Sequence, residues 1–276
     1  MKDKSFIIGD FDSQNYFELI EDITISPLTP KLNTVSLPER DGVLDFSSDN
    51  MWGRNVYEPR IITITGIVRW LNWNVENLYP DADKMVALSA VYNYAYKNSK
   101  GKLYLSTTPG VHWDATLEAI QNIETTGNTT FRVVIQYRCQ PFSKDNAQEG
   151  IEMDFDAGSL TFNIPNIDWA PTNSFKIDIV AESGTEPYDI NIINTTTKES
   201  LNLHYVSGRE IKVDFENFTI DYEPHLYVNK VWDGDFFEIK PGDNIAIVTS
   251  NISEGHAVLR YTANYFYGKM SAYREV

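Results

Sequence analysis

The chain is predicted to be mainly β, with a sandwich in its second half, on three features of the sequence. Residues 131–140 carry the clearest alternation in the chain, with Phe131, Val133, Ile135, Tyr137 and Cys139 on one side and Arg132, Val134, Gln136, Arg138 and Gln140 on the other. That is the two-residue period of a half-buried strand. Beyond residue 150, short alternating runs recur roughly every 8–12 residues, the spacing of a β-sandwich. Aromatic residues make up 13% of the chain, with 16 Tyr and 14 Phe, a bias towards pleated, half-buried surfaces.

In order along the chain, Phe6-Ile7-Ile8 and the stretch ending at Ile23 and Ile25 read as two strands around the polar Gly9–Asn15. Asp41-Gly42 is a turn pair, since both residues tolerate positive φ. Residues 61–70 form a strand with Ile62, Ile64, Val68 and Trp70 on one face. Pro80-Asp81 opens a single helix over about 81–98, ended by Gly101, with Met85, Leu88, Tyr92, Ala95 and Tyr96 as its apolar stripe. Strands resume at 102–106, 111–123 and 131–140. The polar stretch Ser143–Gly150 has no apolar period and is predicted to be the linker. After it, alternation is clear at Phe175–Ile179, Tyr188–Ile192, Leu201–Tyr205 and Ile211–Phe215. Asp233-Gly234 has the chemistry of a hairpin turn, and Lys240-Pro241-Gly242-Asp243 that of a type II turn. Leu259, Tyr261, Ala263, Tyr265 and Tyr267 line one side of a long last strand.

The length of 276 residues suffices for one large or two ordinary domains, and 42% apolar content favours a packed fold. Cys139 is the single cysteine, so no internal disulfide forms, and a reducing cytoplasm is the expected site of synthesis. The opening residues lack the apolar core of a signal peptide, and no run approaches a membrane span. A net charge of −16 disfavours direct nucleic-acid binding. Residues 1–145 carry 14 basic and 18 acidic side chains, a net −4, and residues 146–276 carry 9 and 21, a net −12.

Arg40-Asp41-Gly42, then Asp45, Tyr57, Arg60, Ile62 and Ile64, resemble in their order the N-terminal signature of siphophage distal tail proteins. Glu39 stands where that family more often has a glycine. Lys212-Val213-Asp214-Phe215-Glu216, followed by the run Gly234–Asn244, resembles the closing segment of the family's galectin-like C-terminal domain. The resemblance covers essentially the whole chain. It implies an N-terminal β-sandwich with a helical insertion over residues 1–145, followed by a galectin-like β-sandwich over 146–276. It also implies a structural virion protein without enzymatic activity or cofactor. Six copies would form a ring joining the tail tube protein to the tail-tip or tail-associated lysin protein of the baseplate. The C-terminal domains would project outward with receptor-binding proteins, and DNA would pass through the ring untouched.

Two readings of other classes compete. A carbohydrate-binding module of the tail tip would stack sugars on Trp169, Trp232 and Tyr222, although core packing also explains such aromatics. A glycan hydrolase would need two carboxylates about 5–9 Å apart across a cleft, and pairs such as Asp154/Asp156 and Asp233/Asp235 arise freely among 39 acids. His112, His204, His225 and His256 are too scattered for a metal motif. No nucleotide-binding glycine loop or nucleophile elbow is present. The Arg40–Asp45 segment is therefore structural. With Gly42 at positive φ in the Asp41-Gly42 turn, Gly42→Val should destabilise the N-terminal domain by about 1 kcal/mol or more; an unchanged melting temperature would contradict that turn.

Overall fold

The computed structural model describes residues 4–31, 34–36, 43–45, 57–68, 80–125, 131–166, 172, 174–181, 188–206, 210–222, 232–252 and 254–265. Gly42, Trp70, Trp169, His225 and Tyr267 lie outside them. The chain divides into two compact units, one up to Ser143 and the other Lys144–Tyr265.

In the first unit the strands are β1 (Phe6–Ile8), β2 (Phe11–Asp12), β3 (Phe17–Ile25), β4 (Thr34–Ser36), β5 (Val43–Asp45), β6 (Arg60–Val68), β7 (Lys100–Leu105), β8 (Val111–Thr125) and β9 (Phe131–Cys139), with helix α1 at Pro80–Lys97. Hydrogen bonding runs β2-β1-β7-β8-β9-β6-β3, while β4 and β5 pair with each other. The alternation in β6 and β9 is realised: Ile62, Ile64 and Val68 face Val133, Ile135 and Tyr137 on the buried side. Bulges interrupt β3 at Phe17/Leu19 and Ile20/Asp22, and β8 at Leu117/Ala119 and Asn122/Glu124. Extra residues of this kind increase local twist, and here the two ends of the path come together. The rings of Phe6 and Phe17 lie 6.0 Å apart. The Lys4 ammonium donates to the Glu21 carbonyl at 2.8 Å and pairs with Asp22 at 2.9 Å.

Pro80 opens α1, where its missing N–H is no loss, and Asn98 closes it by donating from its side-chain Nδ2 to the Tyr94 carbonyl at 2.9 Å. Gly101 does not end the helix but lies inside β7. The buried stripe is Ala87, Leu88, Val91 and Ala95. Leu88 and Ala95 match the predicted stripe, and Tyr92 is half-buried. Met85 and Tyr96 do not belong to it, being 57% and 61% exposed. The small residues Ala87, Val91 and Ala95, spaced four apart, let the helix sit close to the sheet, and that displaced the bulkier flank.

The second unit contains β10 (Ser143–Asp145, whose first residue ends the first unit), β11 (Glu149–Asp154), β12 (Ser159–Asn166), β13 (Phe175–Ala181), β14 (Tyr188–Asn194), β15 (Glu199–Val206), β16 (Glu210–Asp214), β17 (Thr219–Tyr222), β18 (Trp232–Gly234), β19 (Gly242–Ser250), β20 (Gly255–Tyr261) and β21 (Asn264–Tyr265). Two antiparallel sheets, β11-β20-β13-β16-β17 and β12-β19-β14-β15-β18, enclose one core. Phe175 and Phe215 stack at 4.1 Å within it. Each such fully buried ring is worth about 1.5–3 kcal/mol of transfer free energy.

Three sequence expectations change here. Ser143–Gly150 contains the boundary between the two units but is not irregular, since it holds β10 and the start of β11: Ser143 and Asp145 are buried, and Asp145 accepts the Tyr265 hydroxyl at 2.9 Å. Its apolar period is missing because burial there is polar and hydrogen-bonded. Asp233-Gly234 is not a hairpin turn but part of β18, paired with Leu201–Leu203. Gly234 has φ +88, and a Cβ on it would overlap the Ser200 carbonyl oxygen, so the glycine serves a close approach. The long last strand breaks after Tyr261, and Tyr265 sits in β21 instead. The turn at Lys240–Asp243 fits its prediction, with Gly242 at φ +95 and Asn244 donating to the Lys240 and Gly242 carbonyls at 2.7 and 2.8 Å.

Asp214 holds the β16–β17 turn. Its carboxylate accepts the Glu216 and Asn217 backbone N–H groups, each at 3.0 Å, and pairs with Lys176 at 2.7 Å. Partial burial alone would raise its pKa, but the hydrogen bonds from Lys176 and Asn217 hold it below the usual carboxylate value. A depressed folded-state pKa stabilises above the unfolded value of about 3.9 and is lost as pH falls through the lower folded value. Asp214→Ala should therefore cost about 1–2 kcal/mol at pH 7 by chemical denaturation, and the difference from wild type should shrink below about pH 4. A cost that stays constant down to pH 2 would contradict the ionised turn.

Candidate functional site

The outer sides of the two sheets of the second unit differ in kind. On the β11-β20-β13-β16-β17 sheet, the row across β20, β13 and β16 is ionic: Lys176 pairs with Asp214, and Arg260 with Asp178. The two aspartates are only 14% and 16% exposed, while their cationic partners stand open to solvent, so the row is a half-buried ionic surface. The opposite sheet instead carries amides. Register sets Asn191 of β14 opposite Asn202 of β15, and Asn202 opposite Asp233 of β18. The Asn191 amide donates to the Asn202 carbonyl oxygen, whose own amide donates to Asp233 at 2.5 Å. His204 Nε2 lies 3.1 Å from the second Asp233 oxygen, and its Nδ1 lies 3.8 Å from Asp189.

Asp189, Asn191, Asn202 and His204, with Thr249 and Ser250, line a shallow hollow of about 350 Å³. Asparagine is a poor strand former, so two of them side by side in mid-strand are not explained by propensity. Each amide uses part of its capacity in the row and keeps further donor or acceptor positions. The arrangement suits hydroxyl-rich ligands better than ions. Among the described residues, no group of three or more His, Cys, Asp or Glu is placed to hold a metal.

The aromatic candidates are placed differently. Trp232 is opposite Leu203, a core residue, so it lies on the core side of β18 and not on the amide side. It is 39% exposed, and its ring meets Phe236 edge-on at 5.4 Å. Tyr222 ends β17, in the other sheet. Of the acidic pairs, Asp154 and Asp156 lie at and just beyond the end of β11, and Asp233 and Asp235 within and just beyond β18. Sequence reasoning missed the amide row because its members are joined by register across three strands. The alternate spacing of Asp189-x-Asn191 and Asn202-x-His204 was the available signal.

In the first unit, Cys139 is buried, and burial together with the Asp114 charge pushes its thiol up to about 12, against the opposing effect of Arg60. A thiol so far from ionisation is no nucleophile at neutral pH. Arg60 is itself fully buried, donating from Nε to the Ser26 carbonyl at 2.8 Å with its guanidinium 5.5 Å from the Trp113 ring. It ties the start of β6 to the end of β3, a structural role for one residue of the resembling motif.

No family model matches the sequence, and no curated protein matches it. Among solved structures, the chain is similar to the SPP1 Dit (gp 19.1) protein, described as a paradigm of the hub adsorption apparatus in phages infecting Gram-positive bacteria. The two are 16% identical, with a TM-score of 0.66 over 96% of this chain and 100% of the other. The chain has the fold of that hub protein, through both units and essentially from end to end.

Proposed function

We propose that this chain is a distal tail, or hub, protein of a siphophage virion. Six copies close a ring through their first units. The ring joins the tail tube protein above to the tail-tip or tail-associated lysin protein below. The second units project outward and anchor host-adhesion components such as receptor-binding proteins. The protein is made in the host cytoplasm and resides at the tail tip. Its mechanism is geometric: a rigid collar around a channel through which DNA passes, with no reaction of its own.

The observation that carries this reading is the full-length structural match, in which both units align together with one hub protein. Two unrelated β units in that order are a more demanding match than either sandwich alone, since single sandwiches host many functions. The ordered motifs Arg40–Ile64 and Lys212–Asn244 support it independently. The charge distribution fits as well. The mildly acidic first part, at −4, is the part that packs around the channel, while the −12 of the remainder is carried outward. A net-acidic first part also favours free passage of DNA, since net negative charge repels phosphate rather than holding it.

The amide row favours a second reading, in which the second unit recognises host cell-wall glycan. Its residues would be Asn191, Asn202, His204 and Asp233 rather than a Trp169, Trp232 and Tyr222 platform. Full-length protein should then bind purified cell-wall glycan, with Asn202→Ala weakening binding at least about tenfold through lost hydrogen bonds and Trp232→Ala leaving it unchanged. Loss with Trp232→Ala alone would return the site to the aromatics.

The hub reading itself is tested by salt. Like-charged copies repel, and raising salt from about 0.05 to 0.5 M shortens the screening length from about 14 to about 4 Å. Ring assembly of the full chain, followed by analytical ultracentrifugation, should strengthen over that range. A chain that is monomeric throughout, or a ring that falls apart as salt rises, would contradict it.

A further inference from the structure

The amide row is the middle of a longer line. Register carries it across every strand of its sheet: Ser159 of β12 is opposite Thr249 of β19, Thr249 opposite Asn191, Asn191 opposite Asn202, and Asn202 opposite Asp233. Residues directly opposite one another share a face, and all of these are at least partly exposed. Four steps of about 4.8 Å between neighbouring strands give the line a length of about 19 Å. The hydrogen bonds within it run one way, from the Asn191 amide to Asn202 and from the Asn202 amide to Asp233. The second N–H of each amide, the Asn191 carbonyl oxygen and the Ser159 and Thr249 hydroxyls keep capacity for a ligand.

Beside the line runs an apolar strip. The same register sets Thr161, Ile247, Ile193 and Ser200 in the next row. Ile247 and Ile193 are half-buried, and Ile245 follows on the same face of β19 at 39% exposure. Between β12 and β15 neither row contains an ionisable side chain. The outer side of the other sheet is the contrast, with Lys176, Asp214, Asp178 and Arg260 set across its strands. Loss of charge from an exposed face is a compositional mark of a binding surface. The nearest carboxylates, Asp189 and Asp233, both turn to His204.

We propose that this face binds one extended chain of an uncharged polysaccharide, laid across the strands from β12 to β18. The chain's hydroxyls meet the line from Ser159 to Asp233, and the C–H faces of its rings lie on Ile193 and Ile247. This deepens the glycan reading above and rests on it, adding the ligand's charge, its length and the contact residues Ser159 and Thr249. A sugar ring is polar at its edge and apolar on its face, which a polar line beside an apolar strip matches. A phosphate-bearing wall polymer does not match, because neither row holds a Lys or Arg to pair with phosphate. Asp189, Asp233 and the net −12 of residues 146–276 repel such a polymer as well. A line about 19 Å long outreaches a single ring, so affinity rises as added rings reach the β12 end.

For the test, purified cell-wall glycan is digested, separated by anion exchange into uncharged and phosphate-bearing pools, sized, and titrated by calorimetry against the full-length protein. Uncharged chains long enough to span the line should bind at least about tenfold more tightly than single rings, through the hydrogen bonds they add. Ser159→Ala and Thr249→Ala should each weaken the long chains by about twofold to tenfold, and Ser159→Ala should leave single rings unaffected. Thr249→Val, which keeps the shape and removes the hydroxyl, is read in place of a Thr249→Ala protein whose melting temperature departs from wild type. Equal affinity for single rings and long chains, or long-chain binding that neither substitution changes, would overturn the extended line while leaving a glycan site in the hollow. Tighter binding of the phosphate-bearing pool would overturn the uncharged ligand. No binding of either pool would overturn the glycan reading together with this inference.

Discussion

Each unit hangs on a strand paired along both edges, and on the two-residue period that such a strand imposes. β6 is bonded to β3 on one side and β9 on the other. Ile62 and Ile64 therefore bury into one core only in one register. A slip of one residue would turn Ile61, Thr63 and Thr65 inward and expose the isoleucines. β13 holds the same position between β20 and β16, with Phe175, Ile177 and Ile179 inside. Everything else is placed relative to these two strands: the buried Arg60 at the head of β6, the helix laid over the first core, and the amide row on the second unit's other sheet.

That period is also why so much of the fold was legible in the sequence. The buried faces of β9, β13, β14 and β16 follow directly from alternation, because local pattern and burial coincide there. Where they part, the sequence misled in physically specific ways. Ser143 and Asp145 are buried without being apolar, so a structured segment looked like a linker. Asp233-Gly234 has turn chemistry, yet the glycine answers a close approach to Ser200. In α1, small residues at four-residue spacing take the core contact, and Met85 and Tyr96 of the apolar stripe stay exposed.

The candidate sites were less legible than the fold. The aromatic reading chose residues by type, and the one whose ring is described, Trp232, packs edge-on against Phe236 on the core side. The amide row has no local motif, because Asn191, Asn202 and Asp233 meet only through strand register. The exposed flank of α1 was visible as apolarity but not as surface. Its exposure is information that only the packed core provides.

The central claim is that this chain closes into a six-membered collar. Negative-stain images of the purified full-length protein test it most directly. The expected result is closed rings with six-fold symmetry, a central channel and six peripheral lobes. Isolated two-lobed particles, or rings of another order, would contradict it.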